Sequence, residues 1–293
     1  MQARALGNTG LNVTPLGFGA MHLNDQRVSE AEAGRLLNQV LDLGVNLIDT
    51  ARGYGLSEER IGRHLAKRRH EFVLSTKVGY GMAGVPDWTY ACIVAGVEAA
   101  LTRMRCDVLD IVHLHSCPLP VLEQGEVISA LEDCERAGKL RVLAYSGDNA
   151  ELDWSMASGR FGVVQTSINL CDQQSIPQRL QQLMAKGIGV IAKRPLAGAV
   201  WHSNQRPEGY CESHYWDRWK TMNIDSQGLS WNELALRFCA YLPGVTSCIV
   251  GTGKIGHFKE NLEFLKLGPL DIGLEQHVLE SFARHDDHWA GLI

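Results

Sequence analysis

Residues 109–167 read LDIVHLHSCPLPVLEQGEVISALEDCERAGKLRVLAYSGDNAELDWSMASGRFGVVQTS. Three apolar, β-branched runs, Leu109 to His115, Leu140 to Ser146 and Val163 to Ser167, are separated by longer stretches of helical period. Strand, helix and strand in alternation is the pattern of parallel strands joined by right-handed crossovers, since a parallel neighbour is reached only by crossing back over the sheet. The alternation continues in both directions. Upstream lie strand candidates Leu16 to Gly19, Val45 to Asp49 and Phe72 to Lys77; downstream lie Gly189 to Lys193 and Ser247 to Val250. Helical candidates begin near Glu30, Ser57, Trp88, Leu122, Asn149, Ile176, Ser230 and Ile255, several of them introduced by Ser, Asp or Asn suited to capping. Eight strand–helix pairs without a break in composition predict an α/β chain whose residues 1–293 form a single (β/α)8 barrel, the TIM-barrel architecture.

Two stretches fall outside the repeat. In RALGNTGLNVT (4–14), Asn8, Thr9 and Gly10 sit between short apolar runs, which predicts an N-terminal β-hairpin placed to plug the barrel floor. The connection over 197–227, with Trp201, Tyr210, Tyr215, Trp216 and Trp219, is too long for an ordinary loop and predicts a binding excursion; packing of its own aromatics is the plainer alternative. A short C-terminal helix is expected from about Gly273.

Composition narrows the class of function. The 293 residues carry a formal net charge of −5, which gives no counterion-release drive toward nucleic acid, and 45% hydrophobic content supplies a full core. The eight cysteines are scattered without a CxxC pair, which fits a reducing compartment. The first residues lack a signal-peptide pattern, and no stretch reaches membrane-spanning length without a charge. A cytoplasmic protein with neither nucleic acid nor membrane as partner is the expectation; oligomeric state is left open.

In a closed barrel the loops after the strands converge on one face, so chemistry is expected at strand C-termini. Asp49 ends the second strand in VNLIDTARGYG, Lys77 the third in FVLSTKVG and His115 the fourth in LDIVHLH, with Tyr54 on the loop after Asp49. Each alone has an ordinary explanation as a cap, an ion pair, packing or a core histidine. Together they come from three consecutive strands, and an interior Asp or Lys is costly unless paired. The set suits proton delivery to a carbonyl oxygen: Tyr54 as the acid, Lys77 easing loss of its proton, Asp49 holding Lys77 charged, and neutral His115 donating a hydrogen bond to the substrate oxygen.

With these residues in these contexts the chain resembles the aldo-keto reductase superfamily, nearly end to end. The motifs are LGNTGLNVTPLGFGAM, NLIDTARGYGLSEERIGRHL, LSTKVG, LDIVHLH, GKLRVLAYSGDN, VVQTSINL, GIGVIAKRPLAGA and IVGTGKIGHFKENL. The resemblance implies an NAD(P)H-dependent oxidoreductase that reduces small-molecule aldehydes or ketones, with Tyr54 as general acid/base. It implies that Ser146 and Gln165 hold the nicotinamide amide, with Asn149 as a displaced substitute for the family's Asn, because Gly147 follows the serine. Gly19, Ala20 and Met21 at the end of the first strand, and Lys193, Arg194, Pro195 and Leu196 at the end of the seventh, are expected to border the cofactor. Gly251, Thr252, Gly253 and Lys254 open a helix whose backbone amides suit an anion, although the run spells GxGxxG; no Rossmann unit follows it. Glu260 and Asn261 match the family's adenine-side pair. His257 stands where many NADPH-preferring members carry arginine, a weaker clamp, so NADP(H) is expected only modestly ahead of NAD(H). Met21, Tyr54, Trp88, His115 and Trp201 are the expected substrate residues, with Trp216 or Trp219 beside them.

Two other readings belong to different classes. A non-catalytic NADP(H)-binding, redox-sensing subunit would keep the fold and lose the chemistry. A metal-dependent barrel hydrolase would use His113 and His115, with Cys117 on the same face by period two, but would need further ligands at other strand ends, where Gln165, Ser167 and Val250 stand instead.

Overall fold

The computed structural model describes residues 2–24 and 28–293. A hairpin of β1 (Arg4–Ala5) and β2 (Asn12–Val13) precedes eight parallel strands: β3 (Leu16–Gly19), β4 (Leu47–Asp49), β5 (Val73–Val78), β6 (Leu109–His115), β7 (Leu140–Ser146), β8 (Val163–Ser167), β9 (Gly189–Lys193) and β10 (Ser247–Val250). These close into a barrel in chain order, with β10 paired to both β9 and β3. Around it run α1 (Glu30–Asp42), α2 (Ser57–Leu65), α3 (Tyr90–Met104), α4 (Leu119–Gln124), α5 (Glu126–Arg136), α6 (Asn149–Ser158), α7 (Arg179–Ala185), α8 (Tyr210–Met222), α9 (Trp231–Tyr241), α10 (Ile255–Lys266) and α11 (Ile272–His285).

Local chemistry explains where helices begin. Ser29 caps α1 in a capping box with Glu32, Thr89 accepts from the Cys92 amide at the start of α3, and Ser230 accepts from the Glu233 amide at the start of α9. Strands β6 to β10 match the sequence expectation residue for residue, whereas β4 is shorter at its start and β5 is shifted forward by one residue. Trp88 and Ile176 lie just ahead of α3 and α7, and Leu122 falls inside α4.

The 197–227 connection is largely helical, a 3₁₀ turn over Ala197–His202 followed by α8. Its aromatics divide: Tyr215 is buried, Trp201 and Trp219 cluster with Trp231 of α9 at ring-centroid distances of 6.1 and 5.4 Å, and Tyr210 is exposed. The excursion is therefore fastened partly to α9 through Trp231, outside the segment, and not by its own aromatics alone. The hairpin does close the floor. Leu6 and Val13 join inward residues Leu47, Val73, Ile111, Val142, Ala144, Val163 and Ile191 in a small core inside the barrel, and Gly7 lies so close to Gly187 that a Cβ would meet its carbonyl at 2.4 Å.

Inward positions alternate along each strand, so each strand reads as a ladder from apolar floor to polar mouth. β4 runs Leu47, Asp49; β5 runs Val73, Ser75, Lys77; β6 runs Ile111, His113, His115; β8 runs Val163, Gln165, Ser167. The larger core lies between the barrel wall and the helices. Among the described residues no helix is long and apolar enough to cross a membrane.

Candidate active site

The strand register brings the polar rungs side by side. Asp49 pairs with Ser75, Lys77 with His113, His115 with Ser146, and Ser146 with Gln165. The Lys77 ammonium donates to Asp49 Oδ2 at 2.6 Å and to the Thr50 carbonyl at 2.8 Å, both side chains being 1% exposed. Asp49 Oδ1 also accepts from Ser75 Oγ at 2.8 Å and from Gln165 Nε2 at 2.9 Å. A buried ion pair is tolerated only when its remaining polar atoms are satisfied, and here the neighbouring rungs satisfy them. Burial pulls the Lys77 ammonium down, but Asp49 and Tyr54 beside it outweigh that and raise it above the usual lysine value.

Tyr54 sits on the turn after β4, its amide bonded to the Ala51 carbonyl at 3.0 Å. The Lys77 nitrogen lies 5.2 Å from the Tyr54 ring centre, and the His115 ring stands edge-on to it at 6.1 Å. Burial, with Lys77 next, lowers His115 to about 2, so its imidazole is neutral over the physiological range. His113, one inward rung below, contacts Ser75 Oγ through Nε2 at 3.0 Å and is lowered to about 3 by the same causes. Asp49, Tyr54, Lys77 and His115 are thus brought together at one end of the barrel.

Two residues of this cluster were not singled out in the sequence. Ser75 joins Asp49 to His113; its place two residues before Lys77 on one strand puts it on the same face, a signal available from period two alone. Tyr80, past the end of β5, places its hydroxyl 2.8 Å from His115 Nδ1 and stacks on that ring at 5.5 Å. No strand periodicity extends to it. Trp88 meets Tyr80 edge-on at 6.0 Å, which keeps it beside the site, and Met21 is exposed at the mouth end of β3. Trp201 is turned away from a substrate role: it is 9% exposed, stacked on Trp231, with its indole N–H donating to Asn232 Oδ1 at 2.8 Å.

For a nicotinamide dinucleotide the fit is uneven. Ser146 Oγ donates to Gln165 Oε1 at 3.2 Å, and Gln165 reaches Asp49, so the expected amide-binding pair borders the cluster. Gly251 tolerates no side chain, since a Cβ would come within 2.9 Å of the Gly19 carbonyl, whereas Gly253 and Gly256 open onto space. Thr252 Oγ1 accepts from the Lys254 amide at 3.0 Å and lies 3.4 Å from His257 Nδ1, ordering the start of α10, which has no side-chain cap and leaves its first amides to an anion. Ala20 is buried beneath the mouth; on α10, Glu260 is exposed and Asn261 buried. These positions suit the group.

Asn149 does not. It begins α6 with φ of 57°, and its side chain makes two bonds to Gly291, donating to the carbonyl at 3.0 Å and accepting from the amide at 2.8 Å. The displaced substitute is thereby occupied by the C-terminal segment. Arg194 also turns to that segment, donating to the Leu292 carbonyl at 2.7 Å and to Ser167 Oγ at 3.1 Å. Lys193 pairs with Asp148 at 2.8 Å, followed by the partly buried Leu196 and buried Pro195.

The metal-site alternative loses its ligands. Ser116 has φ of 61°, which turns the chain after β6 and sends Cys117 into the core, its thiol near the Pro118 carbonyl. Among the described residues no three His, Cys, Asp or Glu side chains converge as a metal requires.

The model of the Aldo/keto reductase family matches residues 15–274. The chain is 28% identical over 280 residues to L-galactose dehydrogenase of Arabidopsis thaliana, covering 89% of this chain and 87% of that protein. It is 30% identical over 305 residues to a probable voltage-gated potassium channel subunit beta of Oryza sativa subsp. japonica, covering 92% and 93%. Among solved structures, the holo form of an aldo-keto reductase from Bacillus halodurans superposes with a TM-score of 0.84 at 27% identity, over 96% of each chain. The chain belongs to the aldo/keto reductase family, carbonyl-reducing oxidoreductases that act on small molecules and use nicotinamide cofactors.

Proposed function

We propose that the protein reduces an aldehyde or ketone to its alcohol with Tyr54 as the general acid, NADPH being modestly preferred over NADH. The bound cofactor supplies the hydride for the carbonyl carbon. Ser146 and Gln165 would hold its nicotinamide amide, and the start of α10, from Gly251 to Lys254 with His257, its phosphates. Tyr54 gives its proton to the carbonyl oxygen. Lys77, held charged by Asp49, stabilises the phenolate left behind, which is what lets a phenol act as an acid near pH 7. Neutral His115 orients the same oxygen. Met21 and Trp88 give the entrance an apolar character suited to a modestly hydrophobic carbonyl compound.

The observation that carries this reading is the fully buried Lys77–Asp49 pair at 2.6 Å facing the Tyr54 ring. Its test is Tyr54→Phe. Turnover of NADPH with an aldehyde panel should fall by about 10²- to 10⁴-fold while NADPH affinity, read by cofactor fluorescence, stays near wild type. Near-normal turnover refutes the assignment. The name of the rice relative favours the second reading, a cofactor-binding subunit; silence of the wild type across carbonyl substrates despite tight NADPH binding would establish it. All eight cysteines stand as free thiols, which supports the expected cytoplasmic location.

A further inference from the structure

We infer that Tyr80 is a positioning residue that holds His115 as the tautomer with its proton on Nε2, aimed at the substrate oxygen. This rests on the proposed carbonyl reduction and deepens it by saying what sets the direction of the His115 hydrogen bond.

The Tyr80 hydroxyl and His115 Nδ1 are 2.8 Å apart, and the two rings lie nearly parallel, 23° between planes. Both groups are neutral near pH 7: burial, then Tyr54, raises the Tyr80 phenol, and His115 is lowered far below its usual value. The pair therefore holds two hydrogens, one on the phenol oxygen and one on the imidazole. With the imidazole hydrogen on Nδ1, it would occupy the phenol oxygen, and the phenol hydrogen would need a second acceptor. No described residue accepts it, so at this half-buried hydroxyl it would be left to solvent. With the hydrogen on Nε2, the phenol donates to Nδ1 and both hydrogens have a use, since Nε2–H is left for a ligand. A carbonyl oxygen needs a donor there and is repelled by a lone pair.

The surroundings hold Tyr80 in that pose. Trp88 packs edge-on to its ring and sits where a Cβ on Gly79 would fall, at 2.2 Å from the indole. Arg52 Nη2 donates to the Gly81 carbonyl at 3.2 Å, tying down the far side of the loop. Gly53 lies under the hydroxyl, and a Cβ there would approach it to 3.2 Å.

The test reads the tautomer directly. The ¹⁵N spectrum of the cofactor-free protein, with the His115 signals assigned by their loss in His115→Asn, should show a protonated Nε2 and a bare, hydrogen-bonded Nδ1. In Tyr80→Phe, which keeps the stacked ring and removes only the hydroxyl, the signals should move to a mixture of tautomers. With NADPH and an aldehyde, kcat should fall about tenfold, the worth of one such bond, with KM changed less than about twofold. A wild-type spectrum with the proton on Nδ1 overturns the inference without any variant, as does a Tyr80→Phe protein with an unaltered tautomer and wild-type kcat. Lack of any carbonyl reduction by the wild type would sink the proposed function instead, and the spectra would still decide the role of Tyr80.

Discussion

Two lysine–aspartate pairs stand on opposite sides of the barrel mouth, Lys77–Asp49 at 2.6 Å and Lys193–Asp148 at 2.8 Å, and they are set in opposite directions. Burial lowers both ammonium groups. Around Lys77 the other neighbours are Asp49 and Tyr54, and the outcome is a lysine raised above its usual value. Around Lys193 burial is the largest influence; Asp148 raises the lysine and Arg194 opposes that, and the outcome is a lysine lowered below that value. The pairs have the same chemistry and similar length, and they differ in their further neighbours, Tyr54 beside Lys77 and Arg194 beside Lys193. Lys77 is built to stay charged beside a phenol; Lys193 is part of a cationic edge in which Arg194 reaches the C-terminal segment.

The sharpest way to break this contrast is turnover. Lys77→Met should lower kcat by about 10²-fold or more, the range of acid–base catalysis, whereas Lys193→Met should leave kcat within a few-fold and weaken NADPH binding. Equal losses in stopped-flow and steady-state assays would show that the two lysines share one role.

Stability gives the next largest effect. Removing Lys77 leaves Asp49 buried and uncompensated, so urea unfolding of Lys77→Met should show a loss of about 3–5 kcal/mol. The loss for Lys193→Met should be smaller, about 1–2 kcal/mol. Its side chain is more exposed, at 12%, and Asp148 also accepts from Thr166 Oγ1 at 2.6 Å and the Ser167 amide at 2.8 Å.

Alkaline pH tests the opposite settings by sign. A lysine raised in the folded state contributes stability below its unfolded value, about 10.4, and that contribution is lost as pH climbs through the folded value. A lysine lowered in the folded state binds fewer protons than the unfolded chain, so stability rises as pH goes from its folded to its unfolded value. Unfolding free energies measured across the alkaline range should therefore lose a downward component in Lys77→Met and an upward one in Lys193→Met. Shifts of the same sign would remove the distinction.

The smallest effect belongs to the neutral partners. Ser75→Ala and Thr166→Val should each cost about 1 kcal/mol in urea unfolding, since each removes one hydroxyl bond to a carboxylate that keeps its lysine. A much larger loss at Ser75 alone would show that its contact with His113 matters more than its bond to Asp49.

Much of the fold and half of the site are legible in residues near one another in the chain. Strands β6 to β10 announce themselves by β-branched runs between helical stretches, and the mouth residues Asp49, Lys77 and His115 by being the last inward rungs of theirs. The misplaced starts of α3 and α7 lie where loop and helix share composition, so that only a cap decides; Thr89 does so for α3. The 197–227 connection reads as a loop because its helix α8 carries apolar and charged residues without a clear face.

What the sequence determined by itself is the barrel and the identity of its inward polar rungs, because both follow from periodicities of two and 3.6 that act over a few residues. The tertiary structure alone decided that Tyr80 meets His115, that Trp201 belongs to Trp231, and that Asn149 serves Gly291, 142 positions away. Such pairings follow from strand register and from which distant segments pack together, and a local pattern carries neither.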